Sequence, residues 1–487
     1  MAAKVIFLVY GLFPKRKAYN VANMVTMIHQ SSIPQALRRV CETIRDSGGK
    51  AWLVGGSVRD LILDIMPHDW DIEVYGLEPD ALWTVLKAMG HCEHVGKKFG
   101  VSKLWFEGLE IDVALPRTEV KTASGHKGFS VISDAYILPE KSSLRRDFTI
   151  NAMMFEPLEG EFLDFHDGIK HLKEKRLRHV SPAFAEDPLR PLRAMQFAAR
   201  FQLTLDTETQ QLCQTLLAEA ESLPSSRVWQ EWLKWSKAAY PSYGLQALQS
   251  MGWLKLYPEL ESLLACPQSQ RWHPEGDVWV HTCLVADQAA RLKQMRDLTE
   301  KEQFVLMFAA LCHDFGKPMA TFKDESGQIV SPEHEKTGVR PARAFLQRIA
   351  APKFVIKMVM PLIKEHVAHF SEEASAQQIA QLAQRLEPAN IQLWEVLTEA
   401  DASGCPPLLE SRPALAWLKK AKFMGVLRGK SAPIMTGKLL IKWGVEPSPC
   451  MGKVIAFAYR AQLKGDIFDE ASAYHWFQKY DIASDDE

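Results

Sequence analysis

The chain has 487 residues, with 58 Lys and Arg against 59 Asp and Glu, giving a formal net charge of −1. At 47% hydrophobic and 24% charged it has a globular composition, and its length predicts two or three domains. The neutral balance excludes nucleic-acid binding through bulk charge, so any such binding must use local basic patches.

Taken in chain order, the first apolar run is VIFLVYGLF (5–13). It is too short to span a bilayer, and its basic KRK follows it instead of preceding it as in a secretory signal. Residues 1–31 are expected to be an extension, with Met24 or Met27 as the usual start; a buried N-terminal strand is the other reading. No other segment is apolar enough to be transmembrane, so no membrane partner is expected. The eight cysteines show no CxxC pair, which fits a reducing, cytoplasmic compartment.

From Ser32 to Ile150 the pattern is mixed. A helix (34–47) precedes a short strand (51–54), a glycine turn and a helix starting at Ser57. DIEVY, VSKLWF and EIDVAL read as further strands. From Asp187 onward, apolar residues recur three and four apart, as in PLRPLRAMQFAARF, and predict helices. CPQSQRWHPEGDVW (266–279) marks a boundary, a histidine-rich helical region follows, and Pro and Gly punctuate the stretch from Pro406 to the acidic SDDE tail. The expected fold class is α+β: a head with a small mixed β-sheet and helices, then an all-α neck and body and an all-α histidine-rich domain. The expected divisions are 1–31, 32–165, 166–265, 266–405 and 406–487.

The stretch LVGGSVRDLILDIMPHDWDIEVY (53–75) carries the first chemistry. Residues two apart on a strand face the same side, so Asp69 and Asp71 should converge. Paired carboxylates call for a cation, and Mg2+ suits hard oxygen ligands beside phosphate. Alone, such a pair more often reads as solvated charge on an edge strand. Its context argues otherwise. Gly55 and Gly56 let backbone approach a phosphate, Arg59 can grip it, and Asp112 in EIDVAL offers a third carboxylate. Together these are the parts of a two-metal phosphoryl or nucleotidyl transfer.

LVGGSVRD followed by HDWDIEVYG resembles the head motifs of the nucleotidyltransferase superfamily, in the branch of class II CCA-adding tRNA nucleotidyltransferases and bacterial poly(A) polymerases. RRDFTINAM (145–153), DFHDG (164–168), EDPLRPLR (186–193) and SSRVWQEW (225–232) resemble that family's later motifs, in the same order. The resemblance implies catalytic Asp69, Asp71 and Asp112, with Mg2+ on the first two. It implies nucleotide binding by Gly55, Gly56, Arg59, Arg146, Asp147, Asn151 and Arg193. Asp187 and Arg190, spaced i, i+3, are expected to share a helix face and read the base of CTP or ATP. One departure stands out: Gln196 occupies a position where many relatives carry Arg.

LPRTEVKTASGHKGFSV (115–131) resembles the flexible loop of CCA-adding enzymes. The implied activity is addition of C, C and A to tRNA. Poly(A) addition, addition of the terminal A alone, and a phosphohydrolase with a head that only binds nucleotide are the alternatives.

In the second half, His281, the doublet His313-Asp314 and a distant Asp401 follow the order that resembles the HD phosphohydrolase superfamily. Imidazole and carboxylate together suit a divalent transition metal or Mg2+ that activates water against a phosphate ester, and the resemblance implies Ni2+, Mn2+ or Mg2+. His334 and His366 are candidate additional ligands, whereas His369 reads as structural. The basic segments KHLKEKRLRH (170–179) and RLKQMR (291–296), and Arg193 with Arg200, are candidate contacts to a tRNA acceptor arm, which would be held by shape and backbone; each could equally be a solvated helix face.

Overall fold

The computed structural model describes residues 28, 32–95, 101–121, 129–371, 374–405, 411–430, 432–448 and 450–479. The expected N-terminal extension (apart from Ile28), the tip of the 115–131 loop and the acidic tail lie outside these residues. The chain forms two compact units. One takes in the described residues up to Ala198 with Gln202–Leu223; the other holds Ala199–Phe201 and those from Pro224 on.

The first unit is built on a seven-stranded sheet. Its elements run α1 (Gln35–Asp46), β1 (Lys50–Val54), α2 (Gly56–Ile62), β2 (Trp70–Tyr75), α3 (Pro79–Met89), β3 (His91–Val95), β4 (Val101–Phe106) and β5 (Leu109–Ala114). A hairpin of β6 (Arg117–Lys121) and β7 (Phe129–Ser133) forms the two arms of the expected loop. Then come α4 (Pro139–Ser143), the two-residue strands β8 (Met154–Phe155) and β9 (Phe162–Leu163), and α5 (Arg190–Phe201). The sheet order is β3-β4-β5-β2-β1-β8-β9, with β2 and β5 parallel and every other neighbour pair antiparallel.

Period-two alternation divides this sheet into two chemically different faces. Ala51, Leu53, Ile72, Val74, Leu104, Ile111 and Val113 enter one core with Leu37, Val40 and Ile44 of α1 and Leu82 and Leu86 of α3. The intervening residues Asp71, Glu73, Lys103 and Asp112 stand on the opposite side. The first face anchors the strands; the opposite one carries these polar residues together with a smaller apolar cluster of Trp52, Val54, Tyr75 and Met154.

The second unit is helical, apart from one pair of two-residue strands, Phe322–Lys323 and Ile329–Val330, among the described residues. Its elements include α6 (Val278–Met295), α7 (Glu300–Cys312), α8 (Lys353–Glu365) and α9 (Ile391–Ser403). Helix α7 opens on a capping box between Thr299 and Glu302. From Val305 to Cys312 every residue is buried, so α7 is a central helix, packed by α6, α8 and α9. His313, its C-cap, is thereby delivered into the interior at 1% exposure.

Candidate active sites

In the first unit, parallel pairing sets Asp71 opposite Asp112 in register. The side chain of Asp112 is flanked across the antiparallel pair by Lys103, whose Nζ lies 3.4 Å from Oδ1. Asp69 is not on the strand as expected. β2 starts at Trp70, so Asp69 occupies the exposed bend before it, close enough to raise the pKa of Asp71. Burial first, then Asp112, pushes Asp71 up to about 6.

Gly55 joins β1 to α2 with φ +73° and ψ −133°, a conformation that side chains with a Cβ avoid. A Cβ there would stand 3.4 Å from Arg146 Nη1 and 3.7 Å from Asp71 Oδ2, so this glycine keeps open the space between the carboxylates and the arginine. Gly56 follows as the first residue of α2.

Behind this space lies a residue that the sequence reading missed. Glu73, two along from Asp71, is 1% exposed and accepts from Arg145 Nη2 and Arg146 Nη2, both at 3.1 Å. Tyr75 Oη and Ser142 Oγ donate to its other oxygen at 2.5 and 2.8 Å. Burial alone would raise its pKa, but Arg146 and Arg145 more than offset that and hold the carboxyl below its usual range. Alternation from Asp71 was the available signal.

A second cluster is organised by Asp147. Arg193 Nε and Nη2 donate to its Oδ2 at 2.8 and 2.6 Å, and Asn151 Nδ2 donates to Oδ1 at 3.0 Å. Arg59, 3% exposed, donates from Nη1 to Asn151 Oδ1 and from Nε and Nη2 to Asp60. The expected nucleotide-binding residues Arg59, Asp147, Asn151 and Arg193 are thus one connected network.

Asp187 and Arg190 do not share a helix face. Pro188 disfavours the helical conformation at Asp187, which is extended at φ −112° and ψ 105°, and α5 begins only at Arg190. The Asp187 carboxylate accepts from Leu189 N at 3.0 Å. Arg190 donates to Ala183 O and Arg145 O at 2.7 and 2.6 Å. Gln196, on α5, is 1% exposed, and neither side-chain polar atom has a hydrogen-bond partner among the described residues.

The basic segment 170–179 is partly neutralised within its own unit, since Arg178 pairs with Asp206 and Glu208.

In the second unit, His281 from α6, His313-Asp314 after α7 and Asp401 from α9 meet in one buried cluster. His281 Nε2 lies 3.0 Å from Asp401 Oδ1; His313 Nε2 lies 3.2 Å from Asp314 Oδ2 and 3.5 Å from Asp401 Oδ1. His334 Nε2 lies 3.4 Å from Asp314 Oδ1 and 3.2 Å from His366 Nε2. Asp314 therefore belongs to two ligand groups, one with His281 and His313 and one with His334 and His366. His369 joins neither, and its ring packs near Phe370 and Trp394.

The backbone fixes these rings by their outer nitrogens. His313, His334 and His366 each place Nδ1 within 2.8 Å of a carbonyl oxygen, of Ala310, Ser331 and Ile363. That leaves the three Nε2 atoms turned toward the carboxylates. Lys317 Nζ reaches Asp314 Oδ2 at 2.7 Å and Gln268 Oε1 at 2.6 Å, a contact hidden in the HDFGKP segment. Burial would lower the pKa of His313, but Asp314 and Asp401 more than offset it and raise it to about 9. Burial, then His334 and His313, drives His366 down to about 3.

Both centres fit a divalent cation. In the first, Asp71 and Asp112 offer carboxylate oxygens side by side, with Lys103 Nζ 3.4 Å from Asp112 Oδ1. In the second, the Nε2 atoms of His281 and His313 and the carboxylate of Asp314 form a close mixed nitrogen and oxygen set, with Lys317 Nζ also on Asp314 Oδ2.

The poly(A) polymerase head domain matches residues 51–178, and the HD domain matches 278–391. The multifunctional CCA protein of Pasteurella multocida is 39% identical over 349 residues, covering 69% of this chain and 79% of that one. The chain belongs to the multifunctional CCA protein family. The family member of Xanthomonas campestris pv. campestris is 36% identical over 366 residues, 73% of this chain and 85% of its own. Domains of the family's two kinds generally use divalent metals.

Among solved structures, apo form II of a CCA-adding enzyme aligns at TM-score 0.63 and 19% identity, covering 94% of this chain and 98% of that one. The Thermotoga maritima CCA-adding enzyme complexed with tRNA aligns at 0.60 and 19%, with the same coverage. These likenesses establish the fold expected from the sequence: a nucleotidyltransferase head followed by helical regions. No helix among the described residues is long and apolar enough to cross a membrane.

Proposed function

We propose that this chain adds C, C and A to the 3′ end of tRNA from CTP and ATP, without a nucleic-acid template, using the Asp69, Asp71 and Asp112 carboxylates as its catalytic centre. The observation that carries this reading is the in-register pair Asp71 and Asp112, set beside Arg146 across the space that Gly55 keeps open. Bound to these carboxylates, Mg2+ would lower the pKa of the tRNA 3′-hydroxyl and offset charge on the triphosphate.

The protein's own groups do the rest. Arg146, steadied by Glu73, is the cation nearest the Gly55 space and binds phosphate there. Gly56 keeps the start of α2 free of a side chain. Asp147 fixes Arg193 and Asn151, and Asn151 is held in turn by Arg59, so that ribose and triphosphate meet a rigid polar wall. Asp187 and Arg190 present the base-reading segment as a turn, with Arg190 tying that turn to Arg145 O.

The second unit supplies a phosphohydrolase centre. His281, His313, Asp314 and Asp401 hold a divalent cation (Ni2+, Mn2+ or Mg2+) for hydrolysis of phosphate esters, 2′,3′-cyclic phosphates included. The working divisions are an extension (1–31), head (32–165), neck and body (166–265), phosphohydrolase domain (266–405) and helical tail (406–487), acting in the cytoplasm on the tRNA acceptor arm.

Asp69→Ala separates the two chemistries. Nucleotide incorporation should vanish while metal-dependent hydrolysis of a phosphodiester persists. Incorporation at the wild-type rate would overturn the assignment of the head carboxylates.

A further inference from the structure

The loop before α6 and the end of α9 bring a second set of ligand-type atoms to the far edge of His281. Glu275 Oε1 lies 2.9 Å from His273 Nδ1 and 2.9 Å from His281 Nδ1. Cys405 Sγ lies 3.6 Å from His273 Nδ1, 3.6 Å from Glu275 Oε1 and 3.8 Å from His281 Nδ1. All four ligand atoms lie within 4.8 Å of one another. The Glu275 side chain is 1% exposed, and its Oε2 is buried without a hydrogen-bond partner among the described residues.

Two backbone features hold this geometry. Asp277 caps α6 at Val280 N and accepts from Ala265 N, pinning the loop that carries His273 and Glu275. A Cβ on Gly404 would lie 2.6 Å from Val285 Cγ2, so glycine is what lets the end of α9 close on α6 and set Cys405 beside His281.

We propose that His273, Glu275, His281 and Cys405 form a metal site distinct from the phosphohydrolase centre, of the class that binds Zn2+. With Zn–S near 2.3 Å and Zn–N near 2.0–2.1 Å, a tetrahedral site has S···N edges of about 3.5 Å, close to the three sulfur distances here. A thiol, two imidazoles and a carboxylate are a borderline-soft donor set that favours zinc over magnesium. Hydrogen bonding inside the cluster leaves Glu275 Oε2 unsatisfied, whereas a cation would engage that carboxylate. Binding releases to solvent the thiol proton of Cys405 and the Nδ1 protons of His273 and His281, which Glu275 Oε1 otherwise accepts, and His273 takes up a proton from solvent at Nε2. His281 then bridges the two centres, with Nδ1 on this metal and Nε2 facing Asp401. The four-ligand group is complete whether or not the neighbouring centre hydrolyses phosphate esters.

The test is Co2+ titration of the full chain after removal of bound metal with a chelator, reading the near-ultraviolet charge-transfer band of a Co2+–thiolate bond. The band should saturate at one equivalent and be displaced by Zn2+. It should be lost in Cys405→Ser and His273→Ala but kept in Cys450→Ser and in Asp314→Asn, which disables only the phosphohydrolase centre. Circular dichroism checks each variant's fold, with His273→Gln as the substitute if either of the first two unfolds. Absence of the band in the unmodified chain, or its survival in Cys405→Ser, overturns the proposal and leaves Glu275 only orienting His281.

Discussion

Arg193 donates both Nε and Nη2 to one oxygen of Asp147, at 2.8 and 2.6 Å. Burial alone would raise the Asp147 pKa, but Arg193, Asn151 and Arg190 more than offset it and bring it down to about 2. An aspartate in the unfolded chain titrates near 3.9, so the network around Asp147 contributes about 2–3 kcal/mol of stability. That contribution is complete above about pH 4 and lost as pH falls through about 2. Asp147→Asn should therefore lower urea stability by a constant amount from neutral pH to about pH 5, and the gap to wild type should narrow below about pH 4. A gap independent of pH would show that the charge of Asp147 is not what stabilises the network.

Gly55→Ala places a Cβ where φ is +73°. The strain is worth about 1–3 kcal/mol. The larger effect should be on function, because the methyl group intrudes between Arg146 and Asp71. Incorporation of both CTP and ATP should fall together, and steady-state kinetics would read this directly. A selective loss of one nucleotide would place Gly55 in base selection instead.

Glu73→Gln keeps the size of the buried side chain but removes the charge shared by Arg145 and Arg146. Two guanidinium groups then face a neutral amide, a change worth about 3–5 kcal/mol when one partner of a buried pair is lost. Raised KM for both nucleotides is expected from a loosened Arg146, together with a lower melting temperature and unaltered phosphodiester hydrolysis. Unchanged KM would confine Glu73 to a structural role.

The sheet was legible because alternation in DIEVY, VSKLWF and EIDVAL separates apolar from polar residues with period two. The His281, His313-Asp314 and Asp401 set was legible from its order. The turn at Asp187 was misread, although Pro188 carried the correcting signal. Glu73 was overlooked because an isolated Glu on a strand looks solvated until Arg145 and Arg146, some 70 residues away in sequence, bury it. Lys317, Gln268 and the group around Cys405 depend on chain segments meeting across long separations, which periodicity does not report.

Hydrolysis by the second centre should depend on bound metal. After chelation, hydrolysis of a chromogenic phosphodiester should stop and return with added divalent metal. His313→Ala should reduce it about a hundredfold or more, since the ring is a proposed direct ligand. His366→Ala, which leaves the His281, His313 and Asp314 group intact, should weaken metal affinity without abolishing hydrolysis. Equal loss in both variants would make the centre a single indivisible unit.

The head is expected to add C, C and A in order. The most direct measurement is 3′-end sequencing of tRNA transcripts ending at the discriminator base, at C or at CC, each incubated with Mg2+ and CTP, ATP or both. Growth of every transcript to CCA followed by arrest is the predicted result. Long A tails, A added only to the CC-ending transcript, or no incorporation at all would contradict it.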